Sequence, residues 1–202
     1  MRIGIFGGTF DPVHLGHLIL AEQAREQGRL DEVWFVPAPR PPQKEGQSVT
    51  RFEQRVEMLQ LAIAGQPAFR IDEIENERDG PSYTAETLAE LHRRHPQHSY
   101  FLLIGGDSLA DFPTWYRPQR IVELAGLLVM ERPGTPPISE GELRQRLGLG
   151  ADSPLGVAVM QTPRIDIASR DLRQRAAEGR SVRYMVPRAV EVYIRDKGLY
   201  RT

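Results

Sequence analysis

The sequence predicts an α/β fold, a doubly wound parallel sheet with a small helical portion toward its carboxyl end. Two observations carry this. Short apolar strand-like runs alternate with helix-like segments along the whole chain, and strands separated by helices imply right-handed β-α-β units. The segment Tyr100-Phe-Leu-Leu-Ile104 is uninterruptedly apolar and is followed by Gly105-Gly106, the pattern of a strand buried on both faces. At 202 residues the chain has the length of one domain.

The elements follow in order. Residues 3–6 form a first strand, and residues 17–27 a helix with Leu18, Leu20, Ala21 and Ala24 on one face and Gly28 at its end. Residues 32–36 (Glu-Val-Trp-Phe-Val) are the second strand. Thr50-Arg-Phe-Glu53 has the spacing of a capping box, with Met58, Leu59, Ala62 and Ile63 recurring helically behind it. A weak strand at 69–71 precedes a helix over 84–94 that turns Leu88 and Leu91 inward and stops before Pro96. After the buried strand come a helix at 118–125, a strand at 127–130, a helix at 139–147 and a strand at 157–160. Helices at 169–178 and 187–196 close the chain, with Pro187 suited to a first helical turn. Residues 37–46 hold four prolines, too rigid for a linker and too long for an ordinary turn, so they read as a binding loop.

Composition narrows the function. The 26 basic and 27 acidic residues leave a net charge of -1, which argues against a nucleic-acid packaging protein or a polybasic membrane binder. The absence of cysteine removes disulfides, thiolate nucleophiles and Cys-based metal sites. No signal-peptide pattern or membrane-length apolar run is present, and a cytoplasmic domain is expected. Of the basic residues only Lys44 and Lys197 are lysines. Against that arginine background a lysine offers a compact point charge that arginine does not mimic.

The chemistry starts at residues 7–17, Gly-Gly-Thr-Phe-Asp-Pro-Val-His-Leu-Gly-His. In an open α/β sheet the ligand sits beyond the carboxyl ends of the strands, so the loop after strand one is the first place to look. Gly7 and Gly8 can take positive φ and admit an anion to the backbone, and the following helix end offers N–H groups to a phosphate. Neither the Walker nor the dinucleotide glycine pattern fits this turn. His14 and His17 are three apart and share one face of the first helical turn, with Gly16 leaving room between them. They suit phosphate donors; the competing readings are capping or core histidines, and zinc lacks a third ligand at usable spacing. His92, His95 and His98 read as solvated surface.

Residues 7–17 resemble the signature of the nucleotidyltransferase superfamily marked by (His/Thr)-x-Gly-His. The chain as a whole resembles the bacterial nicotinate-mononucleotide adenylyltransferases. The likeness extends through Pro41-Pro42-Gln43-Lys44, Gly80-Pro81-Ser82-Tyr83-Thr84, Ile104-Gly105-Gly106-Asp107-Ser108, Thr114-Trp115-Tyr116, Arg132-Pro133-Gly134 and the stretch Ile165 to Arg173. It implies a Rossmann-like nucleotidyltransferase fold in one domain spanning 1–202, with 164–202 completing a phosphate site. It also implies transfer of AMP from ATP to nicotinate mononucleotide, releasing pyrophosphate, with Mg²⁺ carried on the ATP phosphates. The attacking phosphate is already ionised near neutral pH, so alignment and charge stabilisation are needed rather than a general base.

By that resemblance His14, His17, Lys44 and Arg173 are catalytic. Gly8, Thr9, Phe10, Gly16, Gly105, Asp107, Ile167 and Ser169 bind ATP, while Thr84, Trp115 and Arg132 bind the mononucleotide. Thr84 and its helix start would take the nicotinate carboxylate, Trp115 the pyridine ring and Arg132 the phosphate. Other readings stand beside these: Lys44 as a solvated lysine, Asp107 as a helix cap, Ser169 as both N-cap and phosphate ligand. Ala168 and Arg170 depart from the family's Ser and Thr, leaving open whether Arg170 adds a charge or points to solvent. Residues 164–201 hold ten basic and five acidic side chains, a balance that suits polyphosphate or simply a solvated face. A sibling enzyme acting on phosphopantetheine and a non-catalytic ATP or NAD sensor are the alternatives.

Overall fold

The computed structural model describes residues 1–40, 49–130, 139–163 and 165–201, and the side chain of Asp107 is outside that description. Six parallel strands are ordered β3-β2-β1-β4-β5-β6. They are β1 (Arg2–Gly8), β2 (Glu32–Pro37), β3 (Phe69–Ile71), β4 (Ser99–Gly105), β5 (Ala125–Met130) and β6 (Val157–Met160). The helices are α1 (Leu15–Gln27), α2 (Phe52–Ile63), α3 (Thr84–Arg94), α4 (Gly106–Asp111), α5 (Pro118–Leu124), α6 (Glu140–Arg146), α7 (Ser169–Ala177) and α8 (Arg188–Asp196). The expected doubly wound sheet is the observed one, and strand order reverses between β1 and β4.

Side-chain alternation divides the core in two. Ile3 and Ile5 of β1 and Leu102 and Ile104 of β4 face one layer, packed by Leu88 and Leu91 of α3, Ile121 of α5 and Leu143 of α6. Phe6, Phe35 and Leu103 face the other, packed by Ala24 of α1, Met58 and Leu59 of α2, Leu172 of α7 and Val190 and Ile194 of α8. Gly4 on that second face is a packing requirement: a Cβ there would meet Leu30 Cδ1 at 2.6 Å. Helices α7 and α8 thus complete a core layer.

Several local expectations are corrected. No capping box forms at Thr50 and Glu53; α2 starts at Phe52 with Arg51 as an N-cap that makes no side-chain bond. The carbonyl of Thr50 instead accepts from Arg55 Nε at 3.0 Å. Pro187 is the N-cap of α8, one position before the first helical residue. His92, His95 and His98 are half-buried rather than solvated. His92 Nε2 lies 2.7 Å from the Leu124 carbonyl, and all three rings pack edge-on around Trp34 or Tyr100 near the amino ends of β2 and β4. The sequence also leaves unread α4 and the 3₁₀ turns Ile74–Glu77 and Phe112–Thr114.

Candidate active site

A cleft of about 480 Å³ opens at the carboxyl ends of β1 and β4, where the strand order reverses. Gly7, Gly8 and Thr9 line one wall; Ser82, Tyr83 and Thr84 line another, with Ser108, Thr114, Trp115 and Tyr116 opposite.

Of the readings that sequence left open for the histidine pair, the structure shows the capping one. His14 is the N-cap of α1: its Nδ1 accepts from the His17 N–H at 3.3 Å, and His17 Nδ1 accepts from the His14 N–H at 3.2 Å. This is a capping box built from imidazoles instead of Ser and Glu. The rings stack with centroids 3.7 Å apart and 24° between planes. Because each Nδ1 uses its lone pair on a backbone N–H, the proton of each neutral ring sits on Nε2. Capping therefore converts both rings into oriented Nε2–H donors at a helix N-terminus. Gly16 packs tightly beneath the pair, since a Cβ there would stand 3.0 Å from His14 Nδ1 and the ring would have to give by a few tenths of an ångström.

The glycines before the pair behave differently from expectation. Gly7 and Gly8 do not take positive φ; the left-handed residue of the loop is Phe10, at φ 50. Gly8 is needed because a Cβ would meet the Phe10 ring at 2.9 Å. Phe10 itself is 2% exposed, wedged among Phe6, His17 and Phe35, so only its backbone can meet a ligand.

The loop is suspended from distant segments. Arg55 Nη1 donates to the Thr9 carbonyl at 2.6 Å, Arg173 Nη1 to the Asp11 carbonyl at 2.8 Å and Ser169 Oγ to the Pro12 carbonyl at 2.9 Å. Ser169 is thus the first residue of α7 and not its N-cap, which is Ala168. Arg170 is 82% exposed and pairs with Asp171 at 3.2 Å, so it points to solvent. Ile167 packs half-buried against the second core layer. Sequence reasoning missed Asp11, Arg55 and Tyr200, whose burial depends on contacts across the whole chain. Asp11 is 1% exposed, Oδ1 accepting from the Tyr200 hydroxyl at 2.7 Å and Oδ2 from the Thr50 N–H at 3.2 Å. Burial pulls the Arg55 guanidinium below its usual range and pushes the Tyr200 phenol far above its own.

On the other side, Thr84 is the first residue of α3, whose N-cap Tyr83 makes no side-chain capping bond. The Tyr83 and Tyr116 rings stack at 4.4 Å, and Trp115 rests half-buried on Phe112 at 5.3 Å. Beneath them Glu75 is 7% exposed and accepts from Thr87 Oγ1 at 2.7 Å. Burial pushes its carboxyl up, countered by that hydrogen bond. Gly105 is the N-cap of α4 and Asp107 its second residue, which removes the reading of Asp107 as a cap. Lys44 and Arg132 lie outside the described residues.

Comparison with known proteins agrees with this geometry. The cytidylyltransferase-like family model matches residues 5–175. A protein of Thermus thermophilus named "probable nicotinate-nucleotide adenylyltransferase" is 47% identical over 201 residues, 100% of each chain. Its namesake in Thermomicrobium roseum is 46% identical over 201 residues, covering 100% of this chain and 92% of that one. The fold matches the solved Plasmodium falciparum nicotinic acid mononucleotide adenylyltransferase complexed with NaAD, with a TM-score of 0.80 at 18% identity over 98% of this chain and 97% of that one. The chain belongs to the cytidylyltransferase-like family, in the branch formed by the nicotinate-nucleotide adenylyltransferases.

Proposed function

We propose that the protein transfers AMP from ATP to nicotinate mononucleotide, forming nicotinate adenine dinucleotide and pyrophosphate in NAD biosynthesis. The observation that carries this reading is the cleft at the β1/β4 reversal, where Gly7, Gly8 and Thr9, on the chain leading into the His14–His17 cap, face the uncapped start of α3 and its aromatic wall. A phosphate oxygen of the mononucleotide attacks the α-phosphorus of ATP, the bond to the bridging oxygen breaks, and pyrophosphate leaves with that oxygen. The attacking oxygen is already ionised, so no side chain has to remove a proton.

His17 and His14 donate from Nε2 to the triphosphate, His17 nearest the α-phosphate, where charge develops on the leaving side. The backbone of Gly8, Thr9 and Phe10, with Gly16, brings the chain close to ATP, and the N-terminus of α1 adds its dipole. Gly105 and Asp107 meet the adenosine, and Ile167, Ser169 and Arg173 flank the leaving phosphates. Residues 164–202 thereby complete the phosphate site. Lys44 pairs with phosphate oxygens from its proline-stiffened loop. The nicotinate carboxylate meets the first N–H groups of α3 at Thr84, the pyridine ring lies against Trp115, and Arg132 takes the mononucleotide phosphate. A pantetheine arm has no ring to set against Trp115, which disfavours the phosphopantetheine reading.

Mg²⁺ fits as an ion carried in by ATP. Among the described residues no group of three His, Cys, Asp or Glu side chains could hold a metal, and Asp11 is engaged by Tyr200 and Thr50. The ion would be carried on the ATP phosphates, where it would neutralise part of their charge. We place the reaction in the cytoplasm; no helix among the described residues is long and apolar enough to cross a membrane.

Pyrophosphate release with ATP and Mg²⁺ tests the reading, run with nicotinate mononucleotide, nicotinamide mononucleotide and phosphopantetheine in parallel. A strong signal with nicotinate mononucleotide alone is expected. Equal activity with the nicotinamide form would overturn carboxylate recognition at Thr84, and release only with phosphopantetheine would overturn the acceptor. Silence with every acceptor would leave a nucleotide sensor.

A further inference from the structure

We infer that the segment after α8 is a latch on the phosphate loop, and that Tyr200, through Asp11, is a positioning residue for the transfer step; the inference rests on the function proposed above. Asp11 stands between the glycines of β1 and the His14 cap, and both its carboxylate oxygens are engaged. The hydroxyl of Tyr200 donates to Oδ1 at 2.7 Å across 189 residues of sequence, and the Thr50 N–H donates to Oδ2 at 3.2 Å. The same Asp11 offers its carbonyl to Arg173. One residue of the loop therefore gathers three separate segments.

The chain end is shaped to make this contact. Helix α8 closes in a Schellman turn: the Gly198 N–H donates to the Arg195 carbonyl at 3.2 Å and the Leu199 N–H to the Ile194 carbonyl at 2.9 Å, with Gly198 at φ 62. The turn sends Leu199 onto the second core layer and leads the chain into Tyr200. Tyr200 is itself left-handed, at φ 65, a conformation unfavourable for an aromatic residue. Its backbone is held there while its hydroxyl reaches a buried carboxylate.

The consequence is local. Leu15 N–H donates to the Met185 carbonyl at 2.9 Å, so the segment between α7 and α8 also grips the start of α1. The His14–His17 pair is thereby fixed from both sides, by α1's own cap and by a loop whose position depends on Asp11. A donor displaced slightly from the developing charge loses much of its effect, because the benefit of preorganisation is geometric. Tyr200 touches no reacting atom; it acts by holding the backbone that carries those that do.

Tyr200→Phe removes one hydroxyl and keeps the ring. At a temperature where wild type and Y200F are both fully folded by circular dichroism, kcat should fall about tenfold, with KM for nicotinate mononucleotide unchanged within about twofold. Amide hydrogen exchange should quicken at residues 9–14 and stay unchanged in β4. A merely structural role would lower Tm and leave kcat at that temperature intact, which would overturn the inference, as would unchanged exchange at residues 9–14. A wild-type protein that released no pyrophosphate would sink the function proposed above and, with it, Tyr200's role in transfer; exchange would still report whether the latch holds the loop.

Discussion

His14 and His17 each use Nδ1 to cap α1, so the pair proposed to donate to the triphosphate is also part of the fold. Replacing His17 by Ala removes half of a helix cap and, on the proposed function, a transition-state donor. The expected result is a fall in kcat on the order of 10²–10³ with a much smaller rise in either KM. Steady-state kinetics in both substrates checks this, and a loss lying mainly in KM would make His17 a ground-state binding residue. Glu75 belongs to the same scale. Burial raises its folded-state pKa above the 4.5 of a free carboxyl. The group therefore contributes most below that value, and its contribution is lost as pH climbs through the raised pKa. Glu75→Gln keeps an acceptor for Thr87 but cannot ionise. Its Tm relative to wild type should rise as pH climbs above 4.5, and a constant difference would show that Glu75 does not titrate with a raised pKa.

At the scale of elements, the helix starts divide the work. Helix α1 begins with a cap made from functional side chains, α3 begins with Tyr83 and no side-chain cap, and α7 begins with Ser169 donating to the Pro12 carbonyl. All three starts lie toward the carboxyl edge of the sheet, where each strand's end leads toward a helix's amino end, and that of α3 lines the cleft. Residues 84–94 were legible from periodicity alone, since Leu88 and Leu91 sit on the face that is buried. Thr50 and Glu53 show where the same reasoning fails. Their spacing matches a capping box, yet the Thr50 N–H is drawn to Asp11 and its carbonyl to Arg55, so α2 begins one residue later, with Arg51 as its N-cap. A local preference worth about 1 kcal/mol yields to two hydrogen bonds, one local from Arg55 and one tertiary to Asp11.

For the whole molecule, α8 ties stability to the site. Ile194 is 5% exposed in the second core layer, and its carbonyl anchors the turn that leads to Tyr200. Ile194→Ala should cost about 2–4 kcal/mol in urea denaturation, through lost burial and the cavity left behind. A cost below about 1 kcal/mol would show that α8 is only loosely docked. By itself the sequence determined the α/β class, most element positions and the likeness of residues 7–17 to the nucleotidyltransferase signature, and it pointed to the loop after β1 as a candidate site. These are read from short windows, where periodicity and the spacing of glycine and histidine act directly. Only the tertiary structure decided that Gly8 makes room for Phe10 instead of turning the chain, that Arg170 faces solvent, and that Asp11, Arg55 and Tyr200 form one buried network. Those outcomes depend on which side chains meet across as many as 189 residues, and a contact at that range leaves no period in the sequence to read.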